Sequence, residues 1–200
     1  PKVHCQPLVY NISKLDNFSE FSPNNLIANP IKFNFHPDGD RVYWINLLQR
    51  RIESRPLTTS WDVSTVSKTG LISIPFPAPT TADENIYSFE FNPTGTRLYL
   101  IARTGPSSPW AAYVRTYALN PAYDITTLQY ISSQSTDNFY TIDHQPTTLR
   151  FSADGKKMYI LGNGTGGSST DGVRQYRLTT AYNPKSTNIL SPEYTYIFPS

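Results

Sequence analysis

The sequence predicts an all-β fold, a β-propeller of four-stranded antiparallel blades, with about three and a half blades present in 200 residues. Three observations predict it. A strand–turn–strand motif recurs along the chain. Its second strand is apolar at successive positions. The composition favours strands and turns over helices, with 14% aromatic residues, 14 Tyr, 10 Phe and 17 Pro. That aromatic content also argues against disorder.

The motif occupies residues 33–45 (FNFHPDGDRVYWI), 89–101 (FEFNPTGTRLYLI) and 149–161 (LRFSADGKKMYIL). Each copy reads as strand A, a tight turn and strand B. Gly39, Gly95 and Gly155 supply the positive φ that such a turn needs. Pro37 and Pro93 fix φ at its entrance. Strand B is continuously apolar over Val42–Ile45, Leu98–Ile101 and Met158–Leu161. Alternate side chains of a strand point to opposite faces, so a continuous run means burial on both. A middle strand of a stacked blade has that environment.

A third strand, C, repeats at 114–120 (VRTYALN) and 173–179 (VRQYRLT), with a degraded copy at 52–58 (IESRPLT) and a further one at 7–13 (PLVYNIS). An aromatic–acid turn follows at Trp61-Asp62, Tyr123-Asp124 and Tyr182-Asn183, with Leu15-Asp16 in the early copy. Asp62 and Asp124 are expected to accept bonds from backbone N–H groups two residues on. The aromatic before each is expected to pack over the blade edge. Strand D then falls near Glu20–Ser22, Leu71–Ile74, Leu128–Ile131 and Tyr194–Phe198.

The order is C-D, then A-B-C-D three times. One repeat domain spans 1–200, with a half blade at 1–30 and blades at 31–80, 81–140 and 141–200. The A and B strands that would complete the half blade are missing. The expected explanations are a fragment of a larger repeat protein, a ring completed by another chain, or open stacking. An unpaired strand edge invites aggregation, which favours the first two.

The A-B hairpin resembles repeats of lactonase-like and TolB-like propellers. The C-D element at Leu57–Thr65, Tyr117–Thr127 and, more loosely, Tyr176–Thr187 resembles repeats of predicted virion proteins of tailed bacteriophages. That second resemblance implies a virion surface or fibre role, with other copies of the chain or neighbouring virion subunits as partners.

Net charge is +2, and the one dense basic cluster is Arg50, Arg51 and Arg55. A short solvated loop accounts for it, so no nucleic-acid partner is expected. No apolar run approaches the ~20 residues that cross a bilayer, so no membrane insertion is expected. Cys5 is the single cysteine, which excludes an internal disulfide and a cysteine metal site.

The A–B and C–D turns share one end of each blade; the variable B–C and D–A loops share the other. Variable loops on a rigid scaffold are where binding concentrates. Candidate ligand-binding residues there are Arg103, Trp110, Tyr113, Asn138, Tyr140 and His144, with a host-surface glycan or a protein as ligand. The structural alternative is that these aromatics anchor their own loops.

No catalytic residue, cofactor or metal is assigned. His4, His36 and His144 lie in different blade contexts without metal-ligand spacing. His36 reads as a turn residue. The run Gly162–Gly172 is Gly-rich but lacks the Lys-Ser/Thr ending of a phosphate loop. Asp83, Glu84 and Asp137 read as solvated acids rather than calcium ligands. Sequons occur at Asn11, Asn17 and Asn163. Asn34, Glu90 and Arg150 occupy one strand-A position in the three copies. Their differing charge argues against a symmetric ligand site, and a Glu90–Arg150 contact requires neighbouring blades to close on a common axis.

The expected function is therefore a non-enzymatic virion or extracellular surface module that binds through its variable loops. The alternatives are a propeller hydrolase of the lactonase type and an intracellular scaffold propeller.

Overall fold

The computed structural model of the chain describes residues 30–104, 111–163 and 171–198. The half blade expected before residue 30, Trp110 and the centre of the Gly-rich run lie outside the described residues. Three four-stranded antiparallel sheets form in chain order. Blade one holds β1 (Pro30–Phe35), β2 (Arg41–Asn46), β3 (Arg51–Pro56) and β4 (Ile72–Pro75). Blade two holds β5 (Glu84–Phe91), β6 (Arg97–Thr104), β7 (Ala112–Ala118) and β8 (Gln129–Tyr130). Blade three holds β9 (Gln145–Phe151), β10 (Lys157–Asn163), β11 (Asp171–Arg177) and β12 (Tyr194–Ile197). The fold is all-β, a partial propeller. Its only described helical elements are single 3₁₀ turns.

The doubly apolar strand of blade two is buried on both faces, whereas in β10 Met158 and Ile160 are buried and Tyr159 and Leu161 only half-buried, because the described residues place no further blade against them. Leu98, Tyr99, Leu100 and Ile101 of β6 are all fully buried. Alternation then assigns them to different seams. Leu98 and Leu100 join Tyr43, Ile45 and Ile52 of blade one in one core cluster. Tyr99 and Ile101 join Leu149, Met158 and Ile160 of blade three in the other. The core thus lies between blades, which is why a single blade could not bury its own apolar faces.

The two repeated turns are clasped together. Trp61, Tyr123 and Tyr182 each lie over the turn glycine of their own blade, where a Cβ on Gly39, Gly95 or Gly155 would collide with the ring. The backbone N–H of each aromatic donates to that glycine's carbonyl at 2.8–2.9 Å. The aromatics themselves sit at positive φ, between 56° and 65°. Asp62, Asp124 and Asn183 then cap the 3₁₀ turns at Val63–Thr65, Ile125–Thr127 and Pro184–Ser186 by accepting from backbone N–H groups two residues on.

A second clasp joins successive blades. The Tyr43 hydroxyl donates to the Tyr123 carbonyl at 3.0 Å, and the Tyr99 hydroxyl donates to the Tyr182 carbonyl at 2.7 Å. Burial raises both phenols well above the usual tyrosine range, so they act as neutral donors.

Candidate functional site

The first strands of the blades converge: β1 lies beside β5, and β5 beside β9. Their cross-strand register fixes which side chains share a face. Asn34 pairs with Tyr43, Glu90 with Tyr99 and Arg150 with Tyr159. Asn34, Glu90 and Arg150 are therefore equivalent positions on the innermost strands. Arg150 Nη1 forms an ion pair with Glu90 Oε2 across the seam between blades two and three. Asn34 donates a side-chain hydrogen bond to the same carboxylate from blade one. Lys32, two residues before Asn34 in β1, adds a second positive charge close to both.

Three blades thus contribute to one polar cluster. The Glu90 side chain is 18% exposed and that of Arg150 49% exposed, so the carboxylate is sheltered while the guanidinium remains open to a ligand. Burial raises the Glu90 carboxyl above its ordinary value, and Arg150 and Lys32 pull against that rise. Burial likewise lowers the Lys32 amine, helped by Arg150 and opposed by Glu90. A sheltered carboxylate of raised basicity beside open cationic donors can take a proton from water and stabilise a developing oxyanion.

The sequence placed Asn34, Glu90 and Arg150 in register, argued against a repeated site there because their charges differ, and allowed a Glu90–Arg150 contact where neighbouring blades close on a common axis. The structure brings them together where β1, β5 and β9 converge, and their charges complement one another there. Lys32 was missed. The pairing of β1 with β2 is irregular between Pro30 and Phe33, so strand alternation does not place residue 32.

The loop residues expected to bind ligand are held by their own surroundings. Arg103 and Tyr113 lie within β6 and β7, not in the loop between them. The Arg103 guanidinium stacks over Tyr87 at 3.7 Å, and Arg115 lies over Tyr113 at 4.6 Å. Asn138 Oδ1 accepts from the backbone N–H of Ala112 at 2.9 Å and of Tyr140 at 3.0 Å. Tyr140 and His144 stack with ring centroids 4.2 Å apart. Trp110 lies outside the described residues.

His36 belongs to its turn. Its Nδ1 lies 3.0 Å from an Asp40 carboxylate oxygen, and its ring meets Tyr123 edge-on. Asp137 pairs with Lys185, and Glu84 with Arg115. Among the described residues, no three His, Cys, Asp or Glu side chains are grouped to hold a metal ion. No described helix is long and apolar enough to cross a membrane.

Known structures place this architecture. A crystal structure of a Lactobacillus plantarum protein superposes with a TM-score of 0.50 at 17% identity, covering 83% of this chain and 42% of that one. A 6-phosphogluconolactonase candidate from Bacteroides uniformis gives 0.52 at 16% identity, covering 86% of this chain and 41% of that one. Another from Bacteroides fragilis gives 0.50 at 14% identity, covering 80% and 38%. The chain spans about two fifths of the length of these structures. No protein-family model and no curated protein matches it.

These likenesses support the propeller-type repeat fold. They also correct the expectation of a non-enzymatic chain, because the similar propellers include proteins named for lactone hydrolysis. That expectation rested on three scattered histidines, which supply no convergent cluster of His, Glu and Asp. The resemblance to bacteriophage virion repeats finds no support in these comparisons.

Proposed function

We propose that this chain contributes to a propeller hydrolase that opens a lactone at the inner ends of its blades. The carrying observation is the Glu90–Arg150 pair, joined by Asn34 and Lys32, on converging first strands. The similar structures named as 6-phosphogluconolactonase candidates support the reaction class at the level of fold.

In this reading a lactone carbonyl lies against the open Arg150 guanidinium, with Lys32 beside it. Glu90 takes a proton from water as the water oxygen attacks the carbonyl carbon. Arg150 and Lys32 stabilise the tetrahedral oxyanion. Collapse breaks the ring C–O bond, and the proton held by Glu90 passes to the leaving alkoxide. The product is the open hydroxy acid. The raised Glu90 carboxyl is a stronger base than an ordinary carboxylate.

The test is lactone opening followed by pH-stat titration with purified protein and a sugar δ-lactone. Glu90→Gln should lower kcat by about 10²–10⁴-fold while keeping the shape of the side chain. Arg150→Ala should raise KM as well as lower kcat. Wild-type activity should fall on acidification at a pH above the ordinary carboxylate range. Unchanged turnover in folded Glu90→Gln protein would refute the assignment.

A further inference from the structure

The Glu90–Arg150 pair joins two strands that no ladder connects. Glu90 lies on β5 and Arg150 on β9, and these strands belong to separate sheets. No backbone hydrogen bond runs between them among the described residues. Their separation is therefore set by side chains.

The register aims Ser88 at this task. Ser88 pairs with Ile101 and Glu90 with Tyr99, and both partners belong to the core between blades two and three. Residues directly opposite each other share a face of the sheet, so Ser88 and Glu90 both face blade three. The pairing of β5 with β6 shifts between Ile86 and Ser88, which leaves Tyr87 as the extra residue of a bulge. A bulge re-aims the side chains beside it. Ser88 is fully buried, and its Oγ accepts from the backbone N–H of Leu149 at 3.2 Å. Leu149 is fully buried as well. This bond lies two residues before Glu90 on one strand and one residue before Arg150 on the other.

The bond is particular to this seam. By the repeat, Lys32 precedes Phe33 in blade one as Ser88 precedes Phe89, and an ammonium carries donors but no acceptor. Thr148, the blade-three equivalent, pairs with Leu161 on the face turned away from blade two. Without the Ser88 hydroxyl, the Leu149 N–H would be buried with no acceptor. Buried backbone donors are almost always paired, so β9 would shift to satisfy it and carry Arg150 away from Glu90.

We propose that Ser88 is a positioning residue for this site: by holding the Leu149 N–H it sets β9 against β5 and keeps the Arg150 guanidinium on the Glu90 carboxylate. The catalytic consequence rests on the lactone-opening reading; the geometry does not. A misplacement of about 1 Å can cost on the order of 10²-fold in rate.

A carbon-13 NMR titration of the Glu90 carboxyl in the whole chain tests this without substrate. Arg150 on β9 and Lys32 on β1 both hold that carboxyl down, and the Tyr182 phenol responds to its charge. Arg150→Ala should therefore raise the Glu90 midpoint. Ser88→Ala should move it in the same direction, and should add nothing once Arg150→Ala is present. Ser88→Thr retains the acceptor oxygen and should keep the wild-type midpoint. In lactone turnover, Ser88→Ala should lower kcat by about 10- to 100-fold, and Ser88→Thr should recover it. An unmoved midpoint in folded Ser88→Ala protein overturns the proposal. So does an equal rise with and without Arg150, because Ser88 would then act only on the burial of Glu90. A wild-type chain that opens no lactone overturns the reaction assigned to the cluster, and the titration still decides the role of Ser88.

Discussion

Two independent constraints meet at Gly95. Its φ of +66° disfavours any L side chain, and the Tyr123 ring lies where a Cβ would project. The left-handed conformation costs roughly 1–2 kcal/mol for a non-glycine residue. Displacing a packed ring adds about 1–3 kcal/mol. Gly95→Ala should therefore destabilise the chain by roughly 2–5 kcal/mol, seen as a lower urea midpoint. Tyr123→Ala with Gly95→Ala should recover the ring-clash share and leave the conformational one. Additive losses in the double variant would show that the ring does not press on the turn. This pairing was half legible. The glycines and the aromatic–acid turns both repeat in the sequence. That each aromatic closes on its own blade's glycine depends on how the hairpins fold back.

At the scale of strands, buried ion pairs tie the start of strand A to strand C. Glu84 pairs with Arg115 in blade two, and Asp143 Oδ2 lies 2.7 Å from Arg174 Nη1 in blade three. Blade one inverts the arrangement: Glu53 stands at the arginine position and accepts from Trp44 Nε1 and Ser73 Oγ, each at 2.8 Å. These struts were hidden in the sequence. Arg115 and Arg174 align, but their acids lie in D–A connections of unlike length. Burial raises the Asp143 carboxyl from 3.8 to about 6, against the pull of Arg174. The folded chain then holds a proton that the unfolded chain has released. Stability from this group is full below about pH 4 and is lost as pH rises through 6. Asp143→Asn places a neutral amide beside Arg174, as the protonated carboxyl does at low pH. It should therefore lack the wild-type decline between pH 4 and 6. Urea midpoints across that range check this; equal slopes in the two proteins would exclude Asp143 as the titrating group.

Across the whole molecule, apolar patterning made the three described blades legible, and the doubly buried second strand of blade two with them. Which seam each residue serves was not, because two blades must stack before a face has a partner. The same limit hid the inner cluster: Lys32, Glu90 and Arg150 look unrelated until β1, β5 and β9 converge. Stacking also predicts how the molecule comes apart. One core cluster draws on blades one and two, the other on blades two and three. Blade one therefore depends on a single seam. Ile45 is fully buried in it, and Ile45→Ala should remove about 2–5 kcal/mol from that seam. Hydrogen exchange should then show β1, β2 and β3 opening first, while β10 and β11 keep their protection because their cluster contains no residue of blade one. Equal loss of protection in β2 and β10 would mean that the three blades unfold as one unit. Selective loss would instead show that each inter-blade seam is a separate contribution to stability, added blade by blade.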